Sequence, residues 1–282
     1  RSRSAIRVSV NSLEDYIRDL RHAIGTPHPP YAQLGVRDGD RWLQLNANLL
    51  QIENEYYSYI RPKRVARSGE SPSAALQRGG VEYVEMRALD VSAFDPVGVN
   101  QNKLRFLEAF AAYCLLRASP PIETSEQAAL DGNHLQVARR GREPGLALVS
   151  EGRSVPLSAW AAKILDEMTG ICEMLDHNEP TRPYTAALQA QREKVADVGA
   201  TPSARLLREM RTTGESFQQL GLRVSRLHKE YFMALHAPND GRLAEFAEGA
   251  RESLRAQAAI EAAQEGESFE QYVAGYFSGK SA

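Results

Sequence analysis

The sequence lacks the features that mark a membrane protein, a histidine–cysteine metal site or a glycine-rich nucleotide loop. No apolar run approaches the roughly 20 residues that a helix needs to cross a bilayer. The six histidines are scattered, and none has a metal-ligand spacing with a cysteine. Gly79–Gly80 is too short for a phosphate loop, and no Walker-type or dinucleotide glycine motif occurs. We therefore expect no membrane association and no nucleotide site of those two kinds.

Charge of either sign is also not in excess. The 34 basic and 36 acidic residues give a net charge of −2, so no overall field attracts nucleic acid or an anionic membrane. Neither is therefore expected as a partner. An anionic substrate would have to be bound by a few locally placed arginine and lysine residues. The composition, 43% hydrophobic and 25% charged, is otherwise that of an ordinary soluble globular protein.

Cysteine is scarce as well. Cys114 and Cys172 each lie in a stretch with the pattern of an amphipathic helix. This pattern favours two buried free thiols over a disulfide or a catalytic nucleophile. Free thiols are typical of a reducing compartment, and we predict a cytoplasmic location.

Periodicity along the chain predicts an α+β protein, with extended segments in the first third and helices after it. Residues 42–60 and 81–89 alternate as strands do, and residues 12–24 form an amphipathic helix. Further helices are predicted at 102–117, 158–177, 181–197, 203–211, 215–236, 242–264 and 267–277. We predict a sheet-containing region over 1–150 and a helical region over 151–282.

The first extended segment carries an unusual density of charge. If it forms a strand, Gln51, Glu53, Glu55 and Tyr57 share one face. Pro62 stiffens the turn that follows, which contains three cations in four positions: Arg61, Lys63 and Arg64. Such a cluster is consistent with a phosphate clamp or with a solvated sheet edge.

The second extended segment places Tyr83, Glu85 and Arg87 on one face. Mg²⁺ prefers one or two carboxylates together with phosphate oxygens, and arginine offers a planar fork to phosphate. A carboxylate two residues before a guanidinium can therefore hold a metal ion and a phosphate side by side. The wet face of any antiparallel sheet shows the same alternation, so the spacing alone leaves both interpretations open.

Several long motifs in a fixed order resemble a known family. They are LQIENEYYSYIRPKR, RSGESPS, RGGVEYVEMRALDVSAFDPVGV, RFLEAF and SPP, followed more weakly by GREPGL and TPSARLL. This set resembles the proteobacterial type of glutamate–cysteine ligase. The resemblance implies ATP-dependent ligation of L-cysteine to the γ-carboxylate of L-glutamate through γ-glutamyl phosphate, the first step of glutathione biosynthesis. It also implies a glutamine synthetase-like fold, in which antiparallel strands form a funnel-shaped site.

The resemblance assigns roles to individual residues. Glu85 corresponds to a ligand of Mg²⁺ (or Mn²⁺), Arg87 to the catalytic arginine that meets the transferred phosphoryl group, and Tyr57 to a tyrosine lining the cysteine pocket. The basic turn is expected to compensate the charge of ATP. Glu53 and Glu55 are expected either to support the metals or to position that turn, with structural and functional roles equally open.

Members of this family are considerably longer and carry further acidic strands upstream. We therefore expect the chain to be a C-terminal portion, containing part of the funnel and the helical tail. One carboxylate cannot hold a metal cluster, so we expect this portion to be inactive alone. Two alternatives remain: a related carboxylate–amine ligase with another amine substrate, and a non-catalytic helical interaction module.

Overall fold

The computed structural model describes residues 6–235, 240–263, 266 and 268–278. It contains helices and three two-stranded antiparallel sheets, which confirms the α+β class. The chain forms two compact units, one of residues 1–89 with 237–282 and the other of residues 90–236. The boundary predicted at residue 150 from the change in periodicity stays a prediction. Among the described residues, no helix is both long and apolar enough to span a membrane.

The first unit contains most of the predicted extended segments. Its elements are α1 (Leu13–Gly25), α2 (Pro29–Leu34), β1 (Arg37–Asp38), β2 (Arg41–Trp42), β3 (Ile60–Lys63), α3 (Pro72–Gly79), β4 (Tyr83–Met86), α11 (Asp240–Ala263) and α12 (Phe269–Ser278). The helix predicted at 12–24 is α1, and its N-terminus is capped by the Ser12 hydroxyl, which accepts a hydrogen bond from the Asp15 amide. The apolar face of α1 packs on α3 through Tyr16, Ile17, Leu20 and Leu76.

The prediction of a continuous extended segment over 42–60 is wrong. Only Arg41–Trp42 and Ile60–Lys63 pair as strands, and Glu53–Glu55 is a short 3₁₀ turn. Residues two apart do not share a face in a 3₁₀ turn, which has three residues per turn. The expected common face of Glu53, Glu55 and Tyr57 is therefore absent. The cause is a contact distant in sequence, because the Glu53 carboxylate accepts hydrogen bonds from the Ser73 amide and hydroxyl.

Helix α12 packs on the β1–β2 pair. Arg37 forms an ion pair with Glu270, and the rings of Trp42 and Phe269 meet edge to face with centroids 5.4 Å apart. These contacts join a helix near the end of the chain to a strand pair near its beginning. They fix which face of α12 is turned towards the rest of the first unit.

The second unit is mainly helical. Its elements are α4 (Gln101–Leu116), α5 (Thr124–Arg140), β5 (Ala147–Ser150), β6 (Arg153–Pro156), α6 (Leu157–Glu167), α7 (Thr169–Leu175), α8 (Pro183–Ala196), α9 (Pro202–Thr213) and α10 (Phe217–Ala234). The helix predicted at 158–177 is two helices that meet at Met168, next to the weak helix former Gly170. The break lets Met168 lie fully buried in the core, with Ala109, Tyr113, Leu165, Cys172 and Leu188.

Both cysteines are free, and Cys172 is buried as predicted. The prediction of burial is wrong for Cys114, which is exposed. Helix α4 buries only the face that carries Ala109 and Tyr113, whereas Cys114 and the neighbouring Leu115 face outward. The nearly uniform apolar composition of this helix hid the position of its buried face.

Candidate functional site

The predicted site residues converge on the antiparallel pair β3–β4. In its register Arg61 lies opposite Glu85, and Lys63 lies opposite Tyr83. Because side chains alternate along a strand, these four residues share one face of the pair. The pairing continues past the strand ends, since the Arg87 amide donates to the Tyr59 carbonyl at 2.8 Å. Arg87 therefore follows Glu85 on the same face, as the sequence predicted.

The Glu85 carboxylate lies between two cations. Its Oε2 is 3.5 Å from the Arg87 Nε and 3.8 Å from the Lys63 Nζ, and all three side chains are about one-third exposed or less. Within the part of the chain that the structure describes, this buried oxygen has no hydrogen-bond partner. The two cations flank this carboxylate, and a lone pair of Oε2 is left available among the described residues. A metal ion or a donor group of a ligand could use that lone pair.

Tyr57 lies beside the same group. Its ring centroid is 4.8 Å from the Arg87 guanidinium carbon, which is a cation–π distance. Although Tyr57 is not on a strand, the turn after Glu53–Glu55 brings it to Arg87. We call Tyr57, Lys63, Glu85 and Arg87 the charged cluster. It unites the three residues on which the predicted site depended.

Arg61 is the most deeply buried cation on this face, at 3% exposure. Among the described residues, its Nε has no hydrogen-bond partner. Arg61 lies close to Tyr16: burial raises the pKa of the Tyr16 hydroxyl, and the Arg61 cation acts in the opposite direction. A buried guanidinium with an unused donor is costly unless a ligand supplies the acceptor.

Arg64 is held mainly by backbone. Its guanidinium donates to the Gly79 and Gly80 carbonyls at the C-terminal end of α3, and it lies 3.7 Å from Glu82. Cations are favoured at that end of a helix dipole. A Cβ on Gly79 would lie 2.7 Å from the Arg64 guanidinium, so a larger residue there would require Arg64 to shift. The charge compensation expected of Arg64 stays a prediction.

Two further predicted residues have clear structural contacts. Glu53 is 2% exposed and caps the N-terminus of α3 through Ser73, where a carboxylate is stabilised by the helix dipole. Glu55 accepts bonds from the Gln51 amide and side chain at 2.7 and 3.0 Å. The structure thus gives both a structural role, and their proposed support of metals stays a prediction.

A pocket of about 350 Å³ opens beside this face of the β3–β4 pair. Arg61, Lys63 and Arg64 line it, together with three tyrosines that the sequence did not single out: Tyr16, Tyr272 and Tyr276. The i, i+4 spacing of the two tyrosines of α12 was visible, but nothing local in sequence indicated where that helix packs. No group of three or more potential metal ligands occurs among the described residues.

These features define an α+β protein whose small antiparallel sheet presents a carboxylate between cations, next to a basic pocket. The family model described as glutamate–cysteine ligase matches residues 1–137. The glutamate–cysteine ligase of Alcanivorax borkumensis is 43% identical over 98% of this chain and 53% of its own length. That of Azotobacter vinelandii is 46% identical over 94% of this chain and 50% of its own length.

A solved structure indicates the same family. The Francisella tularensis glutamate–cysteine ligase in complex with AMP superposes with a TM-score of 0.89 at 30% identity, over 98% of this chain and 54% of that one. The chain belongs to the glutamate–cysteine ligase family. It spans about half the length of the relatives that it matches.

Proposed function

We propose that this chain forms part of an ATP-dependent ligase that joins the amine of L-cysteine to the γ-carboxylate of L-glutamate. The observation that carries the proposal is the charged cluster, where the Glu85 carboxylate lies within 4 Å of both the Lys63 ammonium and the Arg87 guanidinium. The names of the curated relatives support the reaction, and the AMP bound by the Francisella ligase supports an adenine nucleotide as co-substrate.

The chemistry explains why such a cluster is needed. A glutamate γ-carboxylate oxygen attacks the γ-phosphorus of ATP, and ADP leaves. The cysteine nitrogen then attacks the carbonyl carbon of γ-glutamyl phosphate, and phosphate leaves with the C–O electron pair while the amine loses a proton. Both steps place negative charge on phosphoryl oxygens, so preorganised cations lower the barrier. Neither step requires a protein nucleophile.

In this proposal Arg87 contacts the transferred phosphoryl group, and Tyr57 supports Arg87 from the side on which cysteine binds. Glu85 Oε2, which accepts no hydrogen bond among the described residues, fits a ligand of Mg²⁺ or Mn²⁺, and such an ion when bound would neutralise phosphate charge. Lys63 and Arg61 offset the charge of the nucleotide. The helices of 151–282 act as support for the catalytic region in 1–150.

The described residues offer Glu85 without a second and third carboxylate beside it. We infer that the portion of the relatives outside the match supplies the remaining metal ligands. The chain alone is then expected to be inactive, and its cytoplasmic location follows from the reaction and from the free thiols.

The test measures ADP release with L-glutamate and each of four amines: cysteine, 2-aminobutyrate, alanine and glycine. The assay uses the chain alone and the chain co-expressed with the unmatched portion of the Alcanivorax relative. We expect release only in the second case, and fastest with cysteine. Preference for another amine would indicate a related carboxylate–amine ligase. No ADP release with any amine, together with no Mg²⁺–ATP binding by calorimetry in either preparation, would indicate a non-catalytic module.

A further inference from the structure

Two short motifs of the second unit have no part in the proposed reaction. They are GREPGL (residues 141–146) and TPSARLL (residues 201–207). The first forms the turn between α5 and β5, and the second begins α9. Although they are far apart in sequence, residues of both motifs line one pocket of about 400 Å³. Sites for small molecules typically measure about 300–1,000 Å³, so this pocket is large enough for a small ligand.

The first motif brings Arg142 to the pocket. Its neighbours in the turn have structural contacts: a Cβ on Gly141 would lie 2.6 Å from the Val137 carbonyl oxygen, and Glu143 accepts two hydrogen bonds from the Arg140 guanidinium. The Arg142 side chain is exposed and forms no ion pair or hydrogen bond with any residue that the structure describes. The turn therefore positions Arg142 without using its guanidinium.

Helix α9 brings two further arginines to the same pocket. Arg208 and Arg211 are three residues apart, so they lie on the same side of the helix. Arg208 donates to the uncharged Gly199 carbonyl at 3.1 Å, and the Arg211 side chain has no ion pair or hydrogen bond within the described part of the chain. The rest of the lining is Ala204, Leu207 and Thr212.

The carboxylates nearest to these arginines in sequence are bound to other arginines. Glu143 pairs with Arg140, and Glu209 and Glu215 both pair with Arg223, at 2.7 and 2.8 Å. Among the described residues, no carboxylate lines the pocket. Three guanidinium groups thus share one pocket without a compensating anion, and a bound anion would relieve their mutual repulsion.

The lining also indicates the chemistry of the ligand. Guanidinium groups match the planar, paired oxygens of phosphate and carboxylate groups. Since no described carboxylate lines the pocket, the ammonium group of an amino acid would have no partner there. No aromatic side chain of the described residues lines it either, so a nucleotide base would have no ring to stack on.

We propose that Arg142, Arg208 and Arg211 form a binding site for a compact polyanion. The ligand is a small molecule with two or three phosphate or carboxylate groups and with neither an ammonium group nor a ring. The site lies in the second unit, whereas the charged cluster lies in the first. It differs in chemistry from the sites for glutamate, cysteine and ATP, and it does not depend on the proposed reaction.

The test is an NMR titration of the methyl-labelled chain with tripolyphosphate and, separately, with citrate. The Leu207 methyl groups report on this pocket, whereas those of Leu76 report on the pocket beside β3. We expect the Leu207 signals to shift and saturate with at least one of the two anions. Saturation with tripolyphosphate alone would assign a phosphate ligand, and saturation with citrate alone would assign a carboxylate ligand.

The double variant Arg142→Gln/Arg211→Gln should bind the anion at least about 10-fold more weakly at Leu207, as expected for loss of hydrogen bonds to a charged group. Its titration curve at Leu76 should not change. Arg153→Gln/Arg226→Gln is the matched control, because it removes the same charge from two exposed arginines outside the pocket. This control should leave the Leu207 affinity within about 2-fold of wild type, since exposed charges at a distance are largely screened by salt.

A second measurement needs no variant and keeps the test decisive if the double variant does not fold. The bound anion should protect Arg142, Arg208 and Arg211 of the wild-type chain from phenylglyoxal, while Arg153 stays reactive, as read by mass spectrometry. Leu207 signals that neither anion moves, an affinity that ignores both arginines, or absence of protection would overturn the inference. Tighter binding of a hexaglutamate peptide than of both small anions would also overturn it, in favour of a docking site for an acidic protein segment.

Discussion

The two units differ in whether every buried side-chain polar atom has a hydrogen-bond partner among the described residues. In the helical unit, Asp176 is 5% exposed and accepts from the Tyr184 amide, the Thr185 amide and the Thr185 hydroxyl at 2.6–2.9 Å. In the other unit, Arg61 Nε and Glu85 Oε2 are buried without a hydrogen bond among the described residues. Buried polar groups are normally satisfied because leaving them unpaired costs stability. The contrast indicates that the helical unit uses Asp176 for folding, whereas the first unit, beside satisfied groups such as Glu53, also keeps a donor and an acceptor for ligands.

The largest effect on stability is expected in the helical unit. Met168 is 0% exposed at the junction of α6 and α7, so Met168→Ala leaves a cavity and should lower the free energy of unfolding by about 2–5 kcal/mol. Urea denaturation measures this change. Met174→Ala, on α7 but 61% exposed, is the matched control and should change the free energy little. Equal effects of the two substitutions would contradict the position of the core.

Asp176→Asn should have the next largest effect. Burial disfavours the carboxylate, but the bonds from Thr185 and Tyr184 outweigh burial and lower the pKa of Asp176. In asparagine one carboxylate oxygen is replaced by an NH2 group, which would face a donor instead of accepting from it, and this should cost about 1–3 kcal/mol at pH 7. Urea denaturation of both proteins at neutral pH measures this loss.

The same residue makes a pH-dependent prediction. Because the folded-state pKa of Asp176 is lowered, its contribution is fully present above the unfolded-state pKa of about 3.9 and is lost as the pH falls through the folded-state pKa. The difference in the free energy of unfolding between wild type and Asp176→Asn should therefore become smaller below about pH 4. A constant difference from pH 7 to pH 3 would show that the hydrogen bonds do not depend on the charge.

Within the first unit, both oxygens of the Glu53 carboxylate accept hydrogen bonds, whereas Glu85 Oε2 accepts none among the described residues. Glu53→Gln keeps the size of the side chain but weakens its bonds to Ser73 at the start of α3, and should cost about 1–2 kcal/mol. Thermal or urea unfolding measures this loss in the free energy of unfolding. Glu55→Gln, whose partner is the neighbouring Gln51, should cost less. If Glu53→Gln were the milder of the two, the capping role would be wrong.

Arg61→Met should change stability least. It removes a buried cation whose Nε has no hydrogen-bond partner in the described part of the chain, and it substitutes an apolar side chain of similar length. The free energy of unfolding should therefore stay within about 1 kcal/mol of wild type or rise. Affinity for tripolyphosphate, measured by calorimetry, should fall. A strongly destabilised Arg61→Met with unchanged anion affinity would mean that Arg61 acts in folding and would remove the contrast between the units.

The sequence predicted the parts of the site that depend on local alternation. Glu85 and Arg87 share a face because they are two apart on or next to a strand, and this could be seen without the structure. The shape of residues 50–59 could not be predicted in this way. Glu53 lies in a 3₁₀ turn and accepts a hydrogen bond from the Ser73 amide, twenty positions away in sequence. Alternation of charge mimicked a strand there.

The packing of α12 shows the same limit over a longer range. The helix carrying Tyr272 and Tyr276 was predicted correctly within two residues, at 267–277 against Phe269–Ser278. Its packing depends on pairs such as Trp42 with Phe269, which are joined by no pattern in sequence. Helix positions follow from periodicity, whereas the choice of partner follows from tertiary contacts.

The central claim is that the charged cluster meets the phosphoryl group, and kcat for Glu85→Gln in the co-expressed enzyme tests it most directly. We expect kcat for cysteine-dependent ADP release to fall about 100- to 1,000-fold, the range for loss of one preorganised electrostatic contact, with no change in the urea midpoint. The control is Glu82→Gln, a neighbouring carboxylate that pairs with Arg64. Wild-type kcat in Glu85→Gln at saturating ATP would contradict the account.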